Sequence, residues 1–412
     1  MDESTAPLRL RVLTLGLFAL FSCAPASLGE FFGRDSAWPE VISKALLVIF
    51  ALLATAFNLA HLRWARFDRW PLVAIVGVVL MVTLSSVANG VSAKLVGVLL
   101  TFWLALLVVG CIERERVVPF LVRVGLAACL LSIFLVLLVP SLGTMQTVEH
   151  AGQWRGIFPH KNILGSYGCL FTAIALLGRD RSSRVLLVIA PVCVVASLSA
   201  TAIGCLLLMG ILSLVRLLQS RLTRRQPRTL ALTLWALVIC GCGLFTQDQF
   251  LETMGRDSGL TGRTELWKSV GKAIIDRPVF GFGIGNFWKS DGPVDTYVRS
   301  EYDAFKAEKS HNGYLELLLE TGWVTAIPLG LAVLLRLLRN GEGERAWHLT
   351  VIAVLVLSAT ELNLIDSQFS TSILIIALIS NGVALPVGTA IDRSGRSAIK
   401  LPTWRGLGRL PH

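Results

Sequence analysis

The chain alternates between long apolar runs and short polar connections over most of its length. A helix needs about 20 apolar residues to cross a bilayer. Runs of about 16 to 24 residues, together with three shorter ones, predict about twelve spans. The predicted spans are Leu10–Leu28, Val41–Ala60, Leu72–Ala88, Leu95–Cys111, Phe120–Val139, Ile163–Leu177, Val185–Leu198, Ala202–Leu218, Thr229–Phe245, Tyr314–Leu338, Leu349–Ala359 and Ser370–Leu385. The pattern therefore predicts an all-α polytopic membrane protein.

The composition agrees with this fold class. Hydrophobic residues make up 54% of the chain and charged residues only 16%, which excludes an ordinary soluble domain. The cysteines lie mostly within predicted spans and include no CxxC pair. We therefore interpret them as small apolar residues of the interior rather than as disulfides or metal ligands.

The positions of the arginines predict the orientation. Clusters of basic residues occupy alternate connections, and such clusters mark the cytoplasmic side. The clusters are Arg9/Arg11, Arg63/Arg66/Arg69, Arg114/Arg116, Arg179/Arg181/Arg184, Arg221/Arg224/Arg225/Arg228, Arg336/Arg339/Arg345 and the tail from Arg393 to Arg409. Both termini are therefore predicted to be cytoplasmic in a multi-pass protein of the bacterial inner membrane. The net charge of +11 follows from this topology and does not indicate a nucleic-acid partner.

This topology divides the chain into a bundle, one long outer loop and a tail. We expect a cytoplasmic N-terminus at 1–9, helices one to nine in 10–245, helices ten to twelve in 313–388 and a basic cytoplasmic tail at 389–412. The first span resembles a signal peptide in its charges, but its apolar run is long, and we interpret it as retained. The outward loops of any length are 141–162 and 246–312, of which the second is long enough to suggest a function.

The long loop contains an amphipathic segment and a run of glycines. In 263–276, apolar residues recur at helical spacing, so the pattern predicts a helix lying along the membrane surface. The apolar positions are Leu266, Trp267, Val270, Ala273 and Ile274. After Arg277-Pro278, the glycines at 281, 283 and 285 predict a tight turn or a backbone close to a ligand rather than a nucleotide site, because no βαβ pattern precedes them.

Three motifs of the loop, in this order, carry a resemblance to a known family. They are Gly262-Arg263-Thr264 with Trp267, then Pro278-x-x-Gly281-x-Gly283, then His311-Asn312-Gly313-Tyr314-Leu315-Glu316 with Glu320-x-Gly322. This set resembles the superfamily of O-antigen ligases and Wzy-type polysaccharide polymerases. The outer motif Arg155-Gly156-Ile157-Phe158-Pro159-His160-Lys161-Asn162-x-Leu164-Gly165 further resembles the branch of succinoglycan-type exopolysaccharide polymerases.

The resemblance implies a glycosyltransferase of the GT-C kind that needs no metal or other cofactor. Such an enzyme takes a glycan from an undecaprenyl diphosphate carrier at the periplasmic face. Its acceptor hydroxyl belongs to another lipid-linked repeat unit in a polymerase, or to lipid A-core in a ligase. The 155–165 motif favours the polymerase. Other polysaccharide assembly proteins are further possible partners.

The chemistry of a glycosyl diphosphate indicates which residue types to seek. Arginine suits the departing diphosphate because its planar fork bonds phosphate oxygens and stays charged. Arg263 is the first candidate, since it begins the predicted helix, where backbone donors favour an anion. Arg155 and Lys161 could close the diphosphate site from the other outer loop, and Arg277 is a further candidate that could instead cap its helix.

Histidine suits deprotonation of the acceptor because its pKa lies near neutral pH. His311 is the preferred base or acceptor-orienting group, held at a helix start that Asn312 or Gly313 can cap. His160, at the entrance to the sixth span, is its competitor.

Acidic residues follow the histidine within the first turns of the tenth span. Glu316 and Glu320 lie one turn apart, and a carboxylate at membrane depth needs a partner. We expect them to be buried against Arg263, Lys161 or His311, with Glu316 taking part in catalysis by orienting the histidine. Glu361 and Asp366, in the outward turn between the last two spans, could line the same cavity.

Several other function classes lack their motifs. The chain has no HExxH, GxSxG or Walker A sequence, and no DxD near the loop. A transporter or flippase is the main rival of another class, although ionisable residues cluster at the outer rim rather than in the centres of the spans. A structural membrane scaffold would not need a long loop with this mixture of Arg, His and Gly.

Overall fold

The computed structural model describes residues 6–23, 38–221, 263–289, 292–299, 309–339 and 342–380. The principal helices of these ranges are α1 (Ala6–Cys23), α2 (Trp38–Asn58), α3 (Arg69–Asn89), α4 (Ala93–Cys111), α5 (Arg114–Leu138), α6 (Lys161–Ala175), α7 (Arg181–Ala196), α8 (Ala200–Arg221), α9 (Arg263–Asp276), α10 (Gly313–Thr321), α11 (Trp323–Leu337), α12 (Glu342–Ser358) and α13 (Phe369–Ile379). The predicted span Thr229–Phe245 and the basic tail at 389–412 lie outside the described residues.

Helix α13 forms the centre of the bundle. All of its residues are buried, and it packs against α3, α4 and α12. The outer helices expose apolar side chains instead, as the four valines and leucines of α3 at 73, 76, 80 and 84 do. This arrangement, with apolar residues both inside and outside, is that of a helical membrane protein, and the all-α polytopic fold predicted from the sequence is confirmed.

Four described helical segments are long and apolar enough to cross a membrane by length and composition. They are Lys44–His61, Arg69–Asn89, Ala93–Cys111 and Arg114–Leu138. Shorter apolar helices occur at Ala200–Leu214, Trp323–Leu337, Trp347–Ser358 and Phe369–Ile379. At 1.5 Å per residue, the last of these is shorter than the ~30 Å hydrocarbon core.

Connections that carry arginines meet at one end of the bundle, which we call the arginine-rich end. The carboxylate of Asp68, just before α3, forms an ion pair with Arg339 at 2.7 Å. The backbone N–H of Asp68 donates to the carbonyl of Ile379 at the end of α13. The buried Arg336 of α11 donates to the carbonyl of Ser380 at 3.0 Å. The ends of α11 and α13 and the start of α3 are therefore held together here.

The connections predicted to face outward meet at the opposite end, which we call the loop-rich end. It comprises 90–92, 144–160, 197–199, the described parts of 277–312, and 359–368. Ser92 contacts Ile284, and Asn286 donates to the carbonyl oxygens of Asn89 and Gly90. The sorting of connections between two ends agrees with the predicted alternation, while the assignment of either end to the cytoplasm stays a prediction.

The predicted tenth span, Tyr314–Leu338, is two helices rather than one. Gly322 has φ +67° and ends α10, and α11 begins at the next residue. A side chain at this position would collide with the carbonyl of Val279, which would lie 2.1 Å from its Cβ. The chain bends here because only glycine permits both this backbone conformation and this close approach.

Helix α9 spans the predicted residues, but its apolar face does not lie on the membrane as we expected. Leu266, Val270 and Ala273 are buried in a small second core with Phe282 and Leu319. The side chains of 287, 294 and 298 complete this core. The long loop therefore covers the apolar face of α9 with its own residues, a contact that periodicity alone does not distinguish from lipid.

Candidate functional site

His311 lies at the start of α10 in a backbone conformation that few residues adopt. Its φ is +54°, in the left-handed region. The following residue, Asn312, caps the helix: its Oδ1 accepts from the N–H groups of Tyr314 and Leu315 at 3.0 and 3.2 Å. Of the two cap candidates predicted from the sequence, Asn312 and Gly313, the cap is Asn312. The backbone at His311 is therefore sharply bent, and the next residue, Asn312, is fixed by its hydrogen bonds to the helix.

Glu316 fixes the residue on the other side of the histidine. Its buried carboxylate accepts from the backbone N–H of Ser310 at 3.0 Å and from the indole of Trp288 at 2.7 Å. The indole of Trp267 in α9 donates to the carbonyl of Ser310 at 2.8 Å. The backbone N–H and the backbone carbonyl of Ser310 are therefore both hydrogen-bonded. The carboxylate of Glu316 thus orients the backbone that leads into His311.

Glu320, one turn later, forms an ion pair with Lys94 at the start of α4. The Nζ–Oε1 distance is 2.9 Å, and the same oxygen accepts from the N–H of Gly285 at 2.9 Å. Only 1% of the Glu320 side chain is exposed, against 27% for Lys94. The expected burial of both glutamates is confirmed. The Glu320 carboxylate is bound by Lys94 and Gly285 and that of Glu316 by Ser310 and Trp288, whereas a pairing of either glutamate with Arg263, Lys161 or His311 stays a prediction.

The turn at 359–368 joins four elements of the bundle. Glu361 accepts from Asn162 of α6 at 2.8 Å, and Thr360 donates to Thr201 of α8 at 3.0 Å. Asp366 lies 3.9 Å from the ammonium of Lys94. The start of α10 forms a backbone bridge from Gly313 to the 363 position of the turn. The turn thus brings the beginnings of α4, α6 and α10 to one place.

The glycine run is a tight turn against α10. The N–H groups of Phe282 and Gly283 donate to the carbonyl oxygens of Leu319 and Glu320 at 2.9 and 2.8 Å. Gly281 and Gly283 have φ values of +61° and +83°, and a Cβ at Gly281 would lie 2.6 Å from the Leu319 oxygen. Of the two predicted explanations for these glycines, a tight turn applies, and the close approach is to protein backbone.

The residues of the other outer motif line the start of α6. His160 caps this helix, because its Nδ1 accepts from the N–H of Asn162 at 3.2 Å. The buried Lys161 donates to the carbonyl of Leu198 at 3.4 Å, and the Nε of Arg155 donates to that of Leu142 at 2.9 Å. Both cations donate to backbone carbonyls. Their role in binding a diphosphate stays a prediction.

The remaining predicted cations lie on α9 and its C-terminal end. Arg263 begins the helix as predicted, but its side chain lies outside the described part of the chain. Arg277 is exposed, donates to Asn89 of α3 at 2.8 Å and stacks over Phe282 at 4.8 Å from the ring centre. Nearby, Tyr297 donates to the carboxylate of Asp276 at 2.7 Å, and this hydrogen bond raises the pKa of the tyrosine.

Lys94 and Trp288 were not among the residues predicted from the sequence. Lys94 is the sole basic residue in the otherwise neutral connection 89–94, next to a predicted span. An isolated charge at that position requires a partner, and this signal could have paired it with one of the glutamates. Trp288 gives no comparable signal, because an aromatic residue in a loop is equally typical of a core.

Metal ligation receives no support in the ranges that the structure covers. Among those residues, no three His, Cys, Asp or Glu side chains form a group that could hold a metal ion. The six cysteines in these ranges are buried and form no disulfides with one another. The acidic groups at the loop-rich end bind a lysine, an asparagine, an indole and backbone N–H groups.

The site region also matches a known family. No curated protein sequence matches the chain. Residues 185–330, which include α9, the glycine turn, His311 and both glutamates of α10, match the sequence model Wzy_C, described as O-antigen ligase. Over these residues, the chain is therefore similar to the O-antigen ligase family.

Proposed function

We propose that the protein transfers a glycan from undecaprenyl diphosphate to an acceptor hydroxyl at the periplasmic face of the inner membrane. The family match supports a membrane glycosyltransferase of the ligase or polymerase type. We further propose that both termini are cytoplasmic and that the reaction needs no metal. The identity of the carrier, the periplasmic side and the acceptor are likewise proposed.

In the proposed reaction, the acceptor oxygen attacks the anomeric carbon of the transferred sugar. The bond from that carbon to the diphosphate oxygen breaks, and undecaprenyl diphosphate leaves. His311 takes the hydroxyl proton or orients the hydroxyl, and Arg263 neutralises the charge that develops on the diphosphate. Arg155, Lys161 and Arg277 are further candidates for the diphosphate.

The support for this site is the way in which His311 is held. Glu316 and Trp267 bind the peptide groups of Ser310, and Asn312 caps the helix that follows. A left-handed non-glycine residue fixed on both sides is typical of functional sites, where such conformations persist because the surroundings enforce them. The arrangement is suited to a group that must present its side chain in one orientation.

We favour a polymerase of lipid-linked repeat units, close to the succinoglycan type, over a ligase. The outer motif at 155–165 is the basis of this preference. In the structure, Asn162 of this motif binds Glu361, and the turn that contains Glu361 contacts the start of α10. The motif is therefore joined to the proposed site and could help to form the acceptor side of it.

Surface-glycan analysis by gel tests the proposal. A deletion strain of the source bacterium would be complemented with wild type, Arg263→Ala or His311→Ala, with membrane levels of each protein measured in parallel. His61→Ala and Arg116→Ala are matched controls, because both residues are exposed at the arginine-rich end. We expect the two site variants to insert normally and to fail to restore the glycan, and the controls to restore it.

The glycans that accumulate distinguish the candidate functions. Single repeat units, free or as a one-unit cap on lipid A-core, indicate a polymerase. Full-length polymer left on its lipid carrier indicates the ligase. An unchanged glycan profile in the deletion strain would contradict both enzymes, and full activity of both site variants would contradict the site.

A further inference from the structure

An apolar patch lies at the loop-rich end, where the C-terminal end of α9 meets the start of α11. Ile275 is 76% exposed and Val279 51%, and Phe280 and Trp323 are also exposed. These residues are separate from the buried face of α9, which packs in the second core. The long loop therefore has one apolar surface covered by protein and a second one left open.

The open patch continues a stripe along α11. Residues 323, 327, 331, 334 and 338 are exposed and apolar, and they follow one another at intervals of three or four. This spacing places them on one face of the helix. In a membrane protein, such a face contacts lipid. A tryptophan at its end is typical of the boundary between hydrocarbon and headgroups.

The turn after α9 is bound to the first turn of α11. The carbonyl oxygens of Pro278 and Val279 accept from the N–H groups of Trp323 and Val324 at 2.9 and 3.3 Å. Helix-start N–H groups have no partner within their own helix, and at membrane depth water cannot supply one. The turn thus supplies acceptors for the first backbone N–H groups of α11 and places Val279 and Phe280 beside Trp323.

Arg277 marks the polar edge of the patch. Its guanidinium is exposed, reaches Asn89 at the end of α3 and lies over the ring of Phe282. An arginine next to exposed apolar side chains is typical of the headgroup level, where its stem contacts apolar surface and its charge stays hydrated.

We propose that Ile275, Val279, Phe280 and Trp323 insert into the bilayer and anchor the long outer loop at the lipid surface. The occupant of the patch is bilayer lipid, because the patch is continuous with the lipid-facing stripe of α11 and ends at an exposed arginine. The anchor fixes the height of α9 above the membrane, with Arg277 at the level of the lipid phosphates. This inference rests on the membrane fold and does not depend on the proposed reaction.

Spin labelling of the full chain in liposomes tests the anchor. Cysteines would be introduced singly by Ile275→Cys and Val279→Cys, in a background where Cys240→Ser and Cys242→Ser remove the two cysteines outside the described residues. The same background without an introduced cysteine is the blank for the six buried cysteines. Lys268→Cys is the matched control, because this residue lies on the same helix and its side chain is 64% exposed. Collision rates of each label with oxygen, which partitions into lipid, and with a water-soluble nickel chelate are measured.

We expect the ratio of oxygen to nickel collisions to be several-fold higher at 275 and 279 than at 268. Nickel accessibility at 275 and 279 equal to that at 268 would show that the patch faces water and would overturn the proposal. Low collision rates with both reagents, accompanied by spin–spin broadening, would overturn it in favour of a contact with a second copy of the chain.

Discussion

The carboxylate of Glu320 lies 2.9 Å from the ammonium of Lys94, although 226 residues separate them in the chain. The pair connects the start of α4 with the last turn of α10, and the same carboxylate holds the glycine turn through Gly285. A single buried acidic group thus fixes the helix after His311 to the bundle and to the long loop.

Removal of this ion pair should destabilise the loop-rich end. We expect Lys94→Met to cost roughly 3 kcal/mol, because it leaves the buried Glu320 carboxylate without its cation. The double variant Lys94→Met/Glu320→Gln should recover part of the loss, since no charge is then buried. Thermal unfolding of the detergent-solubilised protein, followed by size-exclusion chromatography, measures both.

The matched control is Lys268→Met, which removes the exposed pair with Glu265 on α9. Exposed pairs contribute little, and we expect a change of at most about 0.5 kcal/mol. An equal effect of Lys94→Met and Lys268→Met would contradict the structural role of the buried pair.

His311→Asn should separate chemistry from backbone conformation. Asparagine adopts the left-handed conformation more readily than most residues, so the variant should fold and insert as wild type does. It lacks a group with a pKa near neutrality, and we expect glycan transfer to be lost. Retention of full glycan synthesis in cells expressing His311→Asn would exclude the imidazole as the base.

Glu316→Gln tests whether the carboxylate positions the histidine. The amide can accept from only one of the two donors, the Ser310 N–H or the Trp288 indole, so we expect about a tenfold loss of transfer rate. Trp288→Phe removes one of the same hydrogen bonds from the other side and should lower the rate in the same direction. Rates are measured with purified protein and a lipid-linked oligosaccharide.

Two outcomes would bear against a positioning role of Glu316. One is an unchanged rate for Glu316→Gln. The other is a loss for Trp288→Phe with no loss for Glu316→Gln, which would assign the effect to packing of the indole. Glu265→Gln, on the exposed side of α9, serves as the control and should leave the rate unchanged.

Gly322→Ala should disrupt the break between α10 and α11. The added Cβ would lie 2.1 Å from the Val279 oxygen, in a backbone conformation with φ +67°. Overpacking of this kind costs about 1–3 kcal/mol, and the left-handed conformation adds about 1–2 kcal/mol. Thermal unfolding and the membrane level of the variant are the measurements.

Gly330→Ala is the matched control for this substitution. It lies within α11, and a Cβ there would meet nothing within 4 Å. Alanine favours the helix over glycine, so we expect stabilisation of about 0.5–1 kcal/mol. A destabilisation by Gly330→Ala as large as that by Gly322→Ala would contradict the assignment of the Gly322→Ala effect to the collision at the helix break.

The sequence by itself determined the membrane fold, the bounds of α9 and a cap for α10 at Asn312 or Gly313. These features depend on local periodicity, on run length and on hydrogen bonds between near neighbours, all of which can be read within a few turns. The family motifs likewise needed only their order along the chain.

The tertiary structure alone decided which groups meet. It paired Glu320 with Lys94, a residue that the sequence pattern had not linked to it, buried the apolar face of α9 under Phe282 and broke the tenth predicted span at Gly322. A charge or an apolar face in the sequence states that a partner is needed but not which one. The partner is set by the packing of helices that are distant in the chain, and local pattern contains no information about that packing.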